Sequence, residues 1–252
     1  MDGSTTLSRL VNPAADAPAV AALFPAGVLA AELSAPGPSE LLTPAEWQSI
    51  RHCHPARIAD FTAGRLCARL ALARRGVEGF SLLPGADRQP RWPAGIVGSI
   101  THTDGYAAAV AAPRDRVGSL GLDSIRVDAL ERRLWAKIGT AEELEALATL
   151  TVEASIWQAA LLLAAKEAFF KCQYPLTREL LGFDAVQIGF TADRGQVGTF
   201  SVVPRRPLRL DSWRQDGRVP LPCGRWRCHG AYVTAGIALP PGWGTAGRQV
   251  SR

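Results

Sequence analysis

Glu167 stands out because it interrupts an apolar stripe on the clearest predicted helix, residues 152–172. Apolar side chains recur along that helix at spacings of four and three residues, which predicts that the carboxylate lies on the buried face. A buried carboxylate is costly unless it is paired or bound to a metal ion. Lys171 lies one turn further on, so an ordinary ion pair on a partly exposed helix is the alternative. The stripe consists of Ile156, Ala160, Leu163, Glu167 and Phe170.

Two further side chains have types and positions suited to chemistry. Asp123 closes an apolar strand predicted over residues 117–123, at a point where functional carboxylates often lie. A turn-initiating or capping aspartate would account for the same residue. His102 lies between two threonines near the end of another predicted strand, where local hydroxyl and backbone groups would also satisfy its ring. Taken singly, none of these residues separates a functional role from a structural one.

Several elements must position these residues. Apolar periodicity predicts a helix over residues 56–74, and Thr43 with Pro44 predicts the capped start of a shorter one. Asp104-Gly105 is typical of a hairpin turn between two strands. A weaker helix is expected at about 128–149. A β-rich tail follows Gly182, and its last strand places Ala231, Val233, Ala235, Ile237 and Leu239 on one face. Residues 1–50 indicate short strands and turns, and the whole order predicts an α+β chain in two halves joined near residues 113–118.

The composition excludes several classes of protein. The chain has 252 residues, of which 47% are hydrophobic and 20% charged, so it is not predominantly disordered. No apolar run is long enough for a membrane helix and no secretory signal is visible, which makes the cytoplasm the expected location. The net charge of +5 favours an anionic partner, but no basic stripe with interleaved aromatics indicates nucleic acid.

The five cysteines indicate free thiols rather than disulfides or a zinc site. Their odd number, without a signal peptide, is typical of a reducing compartment. Two short clusters combine cysteine and histidine, at residues 52–54 and 223–229. Neither has the paired spacing of a structural zinc site, so loop or strand residues are the better interpretation.

Five sequence blocks in register carry a family resemblance. The blocks are an arginine-ending AGR helix, an RxPxWP loop, a GSI(S/T)H strand, a GxD strand end and an AKEAxxK helix, found in ADFTAGR (59–65), RQPRWPAGIVGSITHTDGY (88–106), LGLD (120–123) and AAKEAFFK (164–171). They resemble the signature blocks of the Sfp-type 4′-phosphopantetheinyl transferases, and more closely the branch that contains enterobactin synthase component D. The resemblance covers about residues 55–190.

The resemblance implies a fold and an activity. The expected fold is α+β, with two similar-sized α/β halves in a pseudo-two-fold arrangement, residues 1–116 and 117–252, and a cofactor cleft between them. The expected enzyme is a monomer that moves the 4′-phosphopantetheine arm of coenzyme A onto a serine of an acyl, peptidyl or aryl carrier protein. The reaction is magnesium-dependent and releases 3′,5′-ADP. A basic surface suits the acidic carrier proteins that such enzymes dock.

The resemblance also assigns roles to residues. Asp123 and Glu167 match the metal ligands, and Glu167 matches the residue that helps to deprotonate the carrier serine, directly or through water. Lys171 matches a phosphate-contacting lysine, and His102 matches a histidine that contacts a coenzyme A phosphate; with Glu167 they form the expected catalytic set. Arg57 and Arg65 match the basic residues near the 3′-phosphate, and Arg88 with its proline loop matches the adenine-side contact. The expected cofactor-binding set is Arg57, Arg65, Arg88, Pro90, Trp92, Thr101, His102, Lys166 and Lys171.

One departure from the family pattern leaves an alternative open. The family commonly has a glutamate two residues after the aspartate as a third metal ligand, whereas this chain has Ile125. Because magnesium readily keeps several waters, a water in the vacant position is the favoured explanation. A catalytically degenerate relative that binds coenzyme A or a carrier protein without transfer is the alternative. A different acyl or phosphoryl transferase is disfavoured because GxxxxGK[ST] and GxSxG motifs are absent.

Overall fold

The computed structural model describes residues 18–192, 195–208 and 221–243. The described residues group into two compact units, the first ending at Ala112 and the second beginning at Pro113. Each unit has its own sheet, and no described helix is long and apolar enough to cross a membrane. The prediction for residues 1–50 falls partly outside the described residues, because the description starts at residue 18. All five cysteines are free thiols.

The first unit packs one long helix against a three-stranded sheet with strand order β1-β3-β2. Its elements are α1 (Pro18–Ala21), β1 (Leu29–Leu33), α2 (Pro44–Ile50), α3 (Pro55–Ala73), β2 (Ile96–Thr103) and β3 (Tyr106–Pro113). The predicted long helix, the capped start at Thr43 and the hairpin are confirmed. Gly105 lies in the hairpin turn with a φ of 75°, a conformation that glycine adopts without strain.

The second unit lays its longest helix across a five-stranded antiparallel sheet with strand order β4-β8-β7-β6-β5. Its elements are β4 (Ser119–Arg126), α4 (Trp135–Ile138), α5 (Ala141–Ala148), α6 (Val152–Thr177), β5 (Val186–Ala192), β6 (Val197–Pro204), β7 (Cys223–His229) and β8 (Tyr232–Leu239). Helix α6 contacts β4 and β8, and an apolar cluster fills much of the space between them. The predicted apolar face of the last strand is confirmed for Val233, Ala235, Ile237 and Leu239, which are at most 2% exposed, whereas Ala231 is exposed and precedes β8.

Gly121 sets how closely α6 approaches the sheet. A Cβ atom built on Gly121 would lie 1.9 Å from the carbonyl oxygen of Ala168 and 2.8 Å from Cβ of Cys172. Only a residue without a side chain permits this contact between β4 and α6. Because side chains alternate along a strand, Asp123 and Ile125 point to the same face of β4 as Gly121. The close approach at Gly121 therefore brings helix α6 near the face of β4 that carries Asp123.

The structure corrects two expectations about element boundaries. Strand β4 does not end at Asp123, because its pairing with β8 continues as far as Arg126 opposite Tyr232. The weak helix expected at 128–149 is broken: short 3₁₀ turns precede α4, and α5 starts anew after Gly139. Thr140 caps α5, accepting a bond from the backbone of Glu143, whose side chain bonds back to the backbone of Thr140.

Candidate active site

A carboxylate on β4 and a lysine on α6 form an ion pair in the second unit. Nζ of Lys171 lies 2.6 Å from Oδ1 of Asp123 and also donates to the carbonyl oxygen of Leu122 at 3.2 Å. Asp123 is 6% exposed, whereas the Lys171 side chain keeps 30% of its surface. The lysine therefore holds the orientation of a buried carboxylate and still reaches solvent.

Glu167 shares this environment. Burial raises the pKa of its carboxyl group, and the negative charge of Asp123 raises it further, while Lys171 lowers it. The two carboxylates are thus close enough to repel each other and are partly compensated by one lysine. A cation placed between such groups relieves the repulsion.

This donor set fits a magnesium ion. Carboxylate oxygens are the hard ligands that Mg²⁺ prefers, and Mg²⁺ usually takes one or two carboxylates together with waters and substrate phosphates. Within the described part of the chain, no group of three or more histidine, cysteine, aspartate or glutamate side chains could hold a metal ion. Asp123 and Glu167 are residues of the type that could hold such an ion.

The buried face of α6 differs from the predicted one. Glu167 is half-buried, as are Ile156, Leu163 and Phe170 of the proposed stripe. The charged side chain in the deep core is Lys166, which is 2% exposed. Apolar residues cover most of the circumference of α6, so spacing alone did not distinguish the face against the sheet from its neighbours.

Lys166 is paired within the core of the second unit. Its Nζ donates to Oε2 of Glu143 at 2.6 Å and to the carbonyl oxygens of Ile138 at 2.8 Å and Phe183 at 2.7 Å. An ammonium group has three donors, and these three acceptors use all of them. The expected contact of Lys166 with coenzyme A stays a prediction, and the structure places its three donors on groups of the protein.

In the first unit, a histidine and an arginine meet at the end of β2 and the start of α3. Nη1 of Arg57 lies 2.8 Å from Nε2 of His102, and Nδ1 of His102 lies 3.8 Å from Oδ2 of Asp60. A guanidinium can only donate, so Nε2 accepts and a neutral ring carries its proton on Nδ1, on the side of Asp60. Arg57 and His102 are both exposed.

Arg65 lies deeper on the same helix. Its guanidinium stacks 4.1 Å from the ring centroid of Phe61, and its Nε donates to the carbonyl oxygen of Leu82 at 2.7 Å. Burial lowers the pKa of Arg65 to about 10; Glu46 opposes this shift, and Arg57 is one of two nearby arginines that add to it. A buried cation beside other cations is stabilised by an anion, so this part of α3 suits a phosphate.

The loop expected on the adenine side is held against the three-stranded sheet. Arg88 has a φ of 65° and donates its backbone N–H to Gly85 at 2.9 Å, and Pro90 forms an isolated bridge with Pro84. The Trp92 ring covers Gly98 of β2, where a Cβ atom would lie 2.4 Å from the ring.

Thr101 belongs to the core rather than to this surface. It is 1% exposed, and as the neighbour of His102 in the strand it points to the opposite face of β2. The expected contact of Thr101 with coenzyme A stays a prediction.

Two buried glutamates escaped the sequence analysis. Glu46, fully buried, accepts bonds from Arg69, the backbone of Thr43 and the backbone of Leu82. Glu143 accepts bonds from Lys166 and from the backbones of Thr140 and Ile188. Each is the fourth residue of a Thr-x-x-Glu capping box, a local signal that marks a helix start. The sequence offers no sign that each carboxylate also binds a distant arginine or lysine.

Comparison with known proteins gives the family. Residues 45–112 match the model of the 4′-phosphopantetheinyl transferase N-terminal domain, and residues 119–220 match that of the 4′-phosphopantetheinyl transferase superfamily. The chain is 34% identical over 218 residues to 4′-phosphopantetheinyl transferase Npt of Nocardia iowensis, covering 86% of this chain and 97% of the relative. It is 37% identical over 227 residues to 4′-phosphopantetheinyl transferase PptT of Mycobacterium tuberculosis, covering 87% and 97%.

Enterobactin synthase component D of Escherichia coli is also similar, at 33% identity over 132 residues. That match covers 52% of this chain and 62% of the relative, a smaller share than the matches above. The resemblance inferred from the five sequence blocks is thus confirmed at the level of the family. The chain belongs to the 4′-phosphopantetheinyl transferase superfamily.

Proposed function

We propose that this transferase moves the 4′-phosphopantetheine group of coenzyme A onto a serine of an acyl, peptidyl or aryl carrier domain in a magnesium-dependent reaction. Members of the family transfer this group from coenzyme A to carrier proteins. The observation that supports a working centre in this chain is the pair of interacting carboxylates, Asp123 and Glu167, beside Lys171. Such a set suits a reaction in which charge builds up on phosphate oxygens.

Three charged residues of the second unit have distinct roles in this proposal. Asp123 and Glu167 would hold magnesium, which would neutralise the diphosphate and orient it. Glu167, whose pKa is raised by burial and by Asp123, is suited to accept the proton of the carrier serine, directly or through a water. The serine oxygen then bonds to the β-phosphorus of coenzyme A, the P–O bond to the α-phosphate breaks, and 3′,5′-ADP leaves. Lys171 offers its positive charge to the developing phosphate charge.

The residues of the first unit suit the nucleotide end of coenzyme A. Arg57 and His102 are exposed and bonded to each other, and Arg65 is a buried cation on the same helix as Arg57, with a pKa lowered by burial. We assign this set to the 3′-phosphate, because arginine donors match phosphate geometry. The loop that carries Arg88, Pro90 and Trp92 is assigned to the adenine.

Mass spectrometry of carrier domains incubated with the protein, coenzyme A and magnesium tests the function directly. A gain of one phosphopantetheine on the carrier is expected, and no gain without magnesium. Panels of acyl, peptidyl and aryl carriers identify the class of acceptor. If coenzyme A binds but no carrier gains mass, the degenerate binding protein is the better description and transfer is refuted.

Arg57→Ala is expected to lower kcat/KM for coenzyme A by about 10- to 100-fold, because one charge-assisted contact to a phosphate is lost. The loss with 3′-dephospho-coenzyme A should be much smaller, since that substrate lacks the phosphate that Arg57 contacts. Initial rates with both substrates measure the difference. Arg75→Ala, which removes the same charge from an exposed site just beyond α3, is the control and should leave both rates unchanged. Equal losses on both substrates would take Arg57 out of the 3′-phosphate site.

Ile125→Glu is expected to lower the melting temperature of the metal-free protein. Ile125 is half-buried against the core of the second unit, so a carboxylate there costs roughly 1–3 kcal/mol. Because position 125 shares a face of β4 with Asp123, magnesium should restore more stability to the variant than to the wild type. Thermal melts over a magnesium titration measure both effects, with Ile125→Met as the apolar control. An unchanged melt and an unchanged magnesium response would place the side chain in solvent, away from the metal site.

A further inference from the structure

A buried ion pair lies next to Glu167 and is not used in the chemistry proposed above. Nζ of Lys166 lies 2.6 Å from Oε2 of Glu143, and the two side chains are 1% and 6% exposed. Removing two charges from water is expensive, and well-packed apolar residues often serve stability as well or better. A buried pair at this position therefore calls for an explanation other than stability.

The pair connects five segments of the second unit. Lys166 on α6 bonds to the end of α4 at the Ile138 carbonyl and to the turn before β5 at the Phe183 carbonyl. Glu143 on α5 accepts the backbone N–H of Thr140 and, through Oε1, the backbone N–H of Ile188 on β5, both at 2.7 Å. Every polar group in this arrangement is satisfied, which is the condition under which a buried network is rigid.

This network reaches Glu167 through the backbone. Lys166 and Glu167 are consecutive on α6, so fixing the Lys166 side chain on three acceptors fixes the rotation of the turn that carries Glu167. Glu167, Lys166 and Phe183 also line one cavity of about 130 Å³. The bonds that fix this turn of α6 therefore also fix one wall of the cavity that Glu167 lines.

The charge of Lys166 is compensated by Glu143. Burial, the charge of Asp123 and the charge of Lys171 are the main causes of the shift in the pKa of Glu167. What the bonds of Lys166 add is a fixed helix turn beside Glu167.

We propose that Lys166 and Glu143 are positioning residues that fix the Glu167 carboxylate for metal binding and proton acceptance. The proposal rests on the proposed function of Glu167. A misplacement of about 1 Å at a reacting group can cost about 100-fold in rate. Loosening the pair should lower kcat and weaken metal binding, while coenzyme A binds as before, because the two side chains are bonded to each other and to backbone groups of the protein.

Glu143→Gln is the principal variant, because it keeps the shape of the side chain but removes the charge that holds Lys166 and replaces one of the two acceptor oxygens with a donor NH2 group. We expect a 10- to 100-fold lower kcat, a higher magnesium concentration for half-maximal rate and a Kd for coenzyme A, measured by calorimetry, that changes less than threefold. Lys166→Met should behave alike, and the double variant should be no worse than the poorer single variant, since both changes break one unit. Leu147→Ala, a buried apolar truncation on the same helix as Glu143, controls for general loss of stability.

Binding of Mn²⁺, followed by electron paramagnetic resonance, adds a readout that does not depend on transfer. The affinity should fall in Glu143→Gln and stay unchanged in Leu147→Ala. A Glu143→Gln protein that binds Mn²⁺ as the wild type does overturns the proposal, whether or not transfer is seen. So does a Leu147→Ala protein with an equal drop in kcat, or a variant whose defect is only in coenzyme A affinity. A wild type that transfers to no carrier instead overturns the proposed function.

Discussion

Glu167→Gln is expected to abolish transfer and, at the same time, to stabilise the metal-free protein at neutral pH. The amide keeps the shape of the side chain but cannot take the serine proton and is a poorer magnesium ligand, so we expect a loss of at least about a thousandfold in kcat. The gain in stability follows because burial and the charge of Asp123 both penalise the carboxylate in the folded protein. A neutral side chain escapes that penalty.

The raised pKa of Glu167 also determines how the stability of the metal-free protein changes with pH. The folded pKa of Glu167 is raised, so between its ordinary value and the raised value the folded state binds more proton than the unfolded state. The stability contributed by the protonated carboxyl group is present below the ordinary pKa and is lost as pH rises through the raised pKa. Melts in chelator from pH 4 to 8 should show this decline in the wild type and a smaller one in Glu167→Gln.

Magnesium should reverse the order of stability. The ion should raise the melting temperature of the wild type and have little effect on Glu167→Gln. Glu153→Gln, on an exposed position of the same helix, is the control and should retain transfer. A Glu167→Gln protein that transfers at the wild-type rate at low magnesium would exclude this residue from the centre, and one that melts lower at neutral pH would contradict the penalty assigned to the carboxylate.

Gly121→Ala is expected to be the most damaging single-methyl change that we can place in the second unit. The new Cβ atom would lie 1.9 Å from the carbonyl oxygen of Ala168, and a backbone atom cannot move aside as a flexible side chain can. Helix α6 and β4 would have to separate, at a cost of about 3 kcal/mol or more. In a unit of this size that corresponds to a drop of roughly 10 °C in melting temperature.

The loss of activity should exceed what the melt explains, because α6 carries Glu167 and Lys171 and β4 carries Asp123. Gly189→Ala on β5 is the matched control: its Cβ atom would meet only the Ser201 hydroxyl at 3.0 Å, which can rotate away. Thermal melts and transfer rates at a temperature where both variants are folded separate the two effects. A Gly121→Ala protein as stable and active as Gly189→Ala would mean that the close approach is not required.

Local sequence features predicted those parts of the fold that depend on neighbours in the chain. The Thr43 cap, the helix over 55–73 and the hairpin at Asp104-Gly105 are all written in segments of a few residues and are confirmed. The five blocks in register were enough to identify the family, because a family signature consists of residue types in a fixed order and does not require the distances between the side chains.

Long-range contacts decided what local features do not encode. The apolar pattern predicted a strand that ends at Asp123. The strand extends to Arg126 because β8, more than a hundred residues away in the sequence, supplies the partner backbone. Pairing with a partner so distant in the sequence is a property of the packed unit. The break within residues 128–149 has local signals by contrast, because Gly139 ends α4 and the Thr140 capping box starts a new helix.

The sequence by itself determined which charged residues lie on the long helix, and only the tertiary structure decided what each one does. Lys166 and Glu167 are neighbours about 100° apart around α6, and apolar residues surround both. The sheet covers one side of the helix, and α4, α5 and the turn before β5 supply acceptors for Lys166, so the lysine is buried in an ion pair. Glu167 is left half-buried near Asp123, where its charge is penalised but accessible. The physical reason is that burial is set by what packs against a residue, and periodicity in one helix carries no record of its partners.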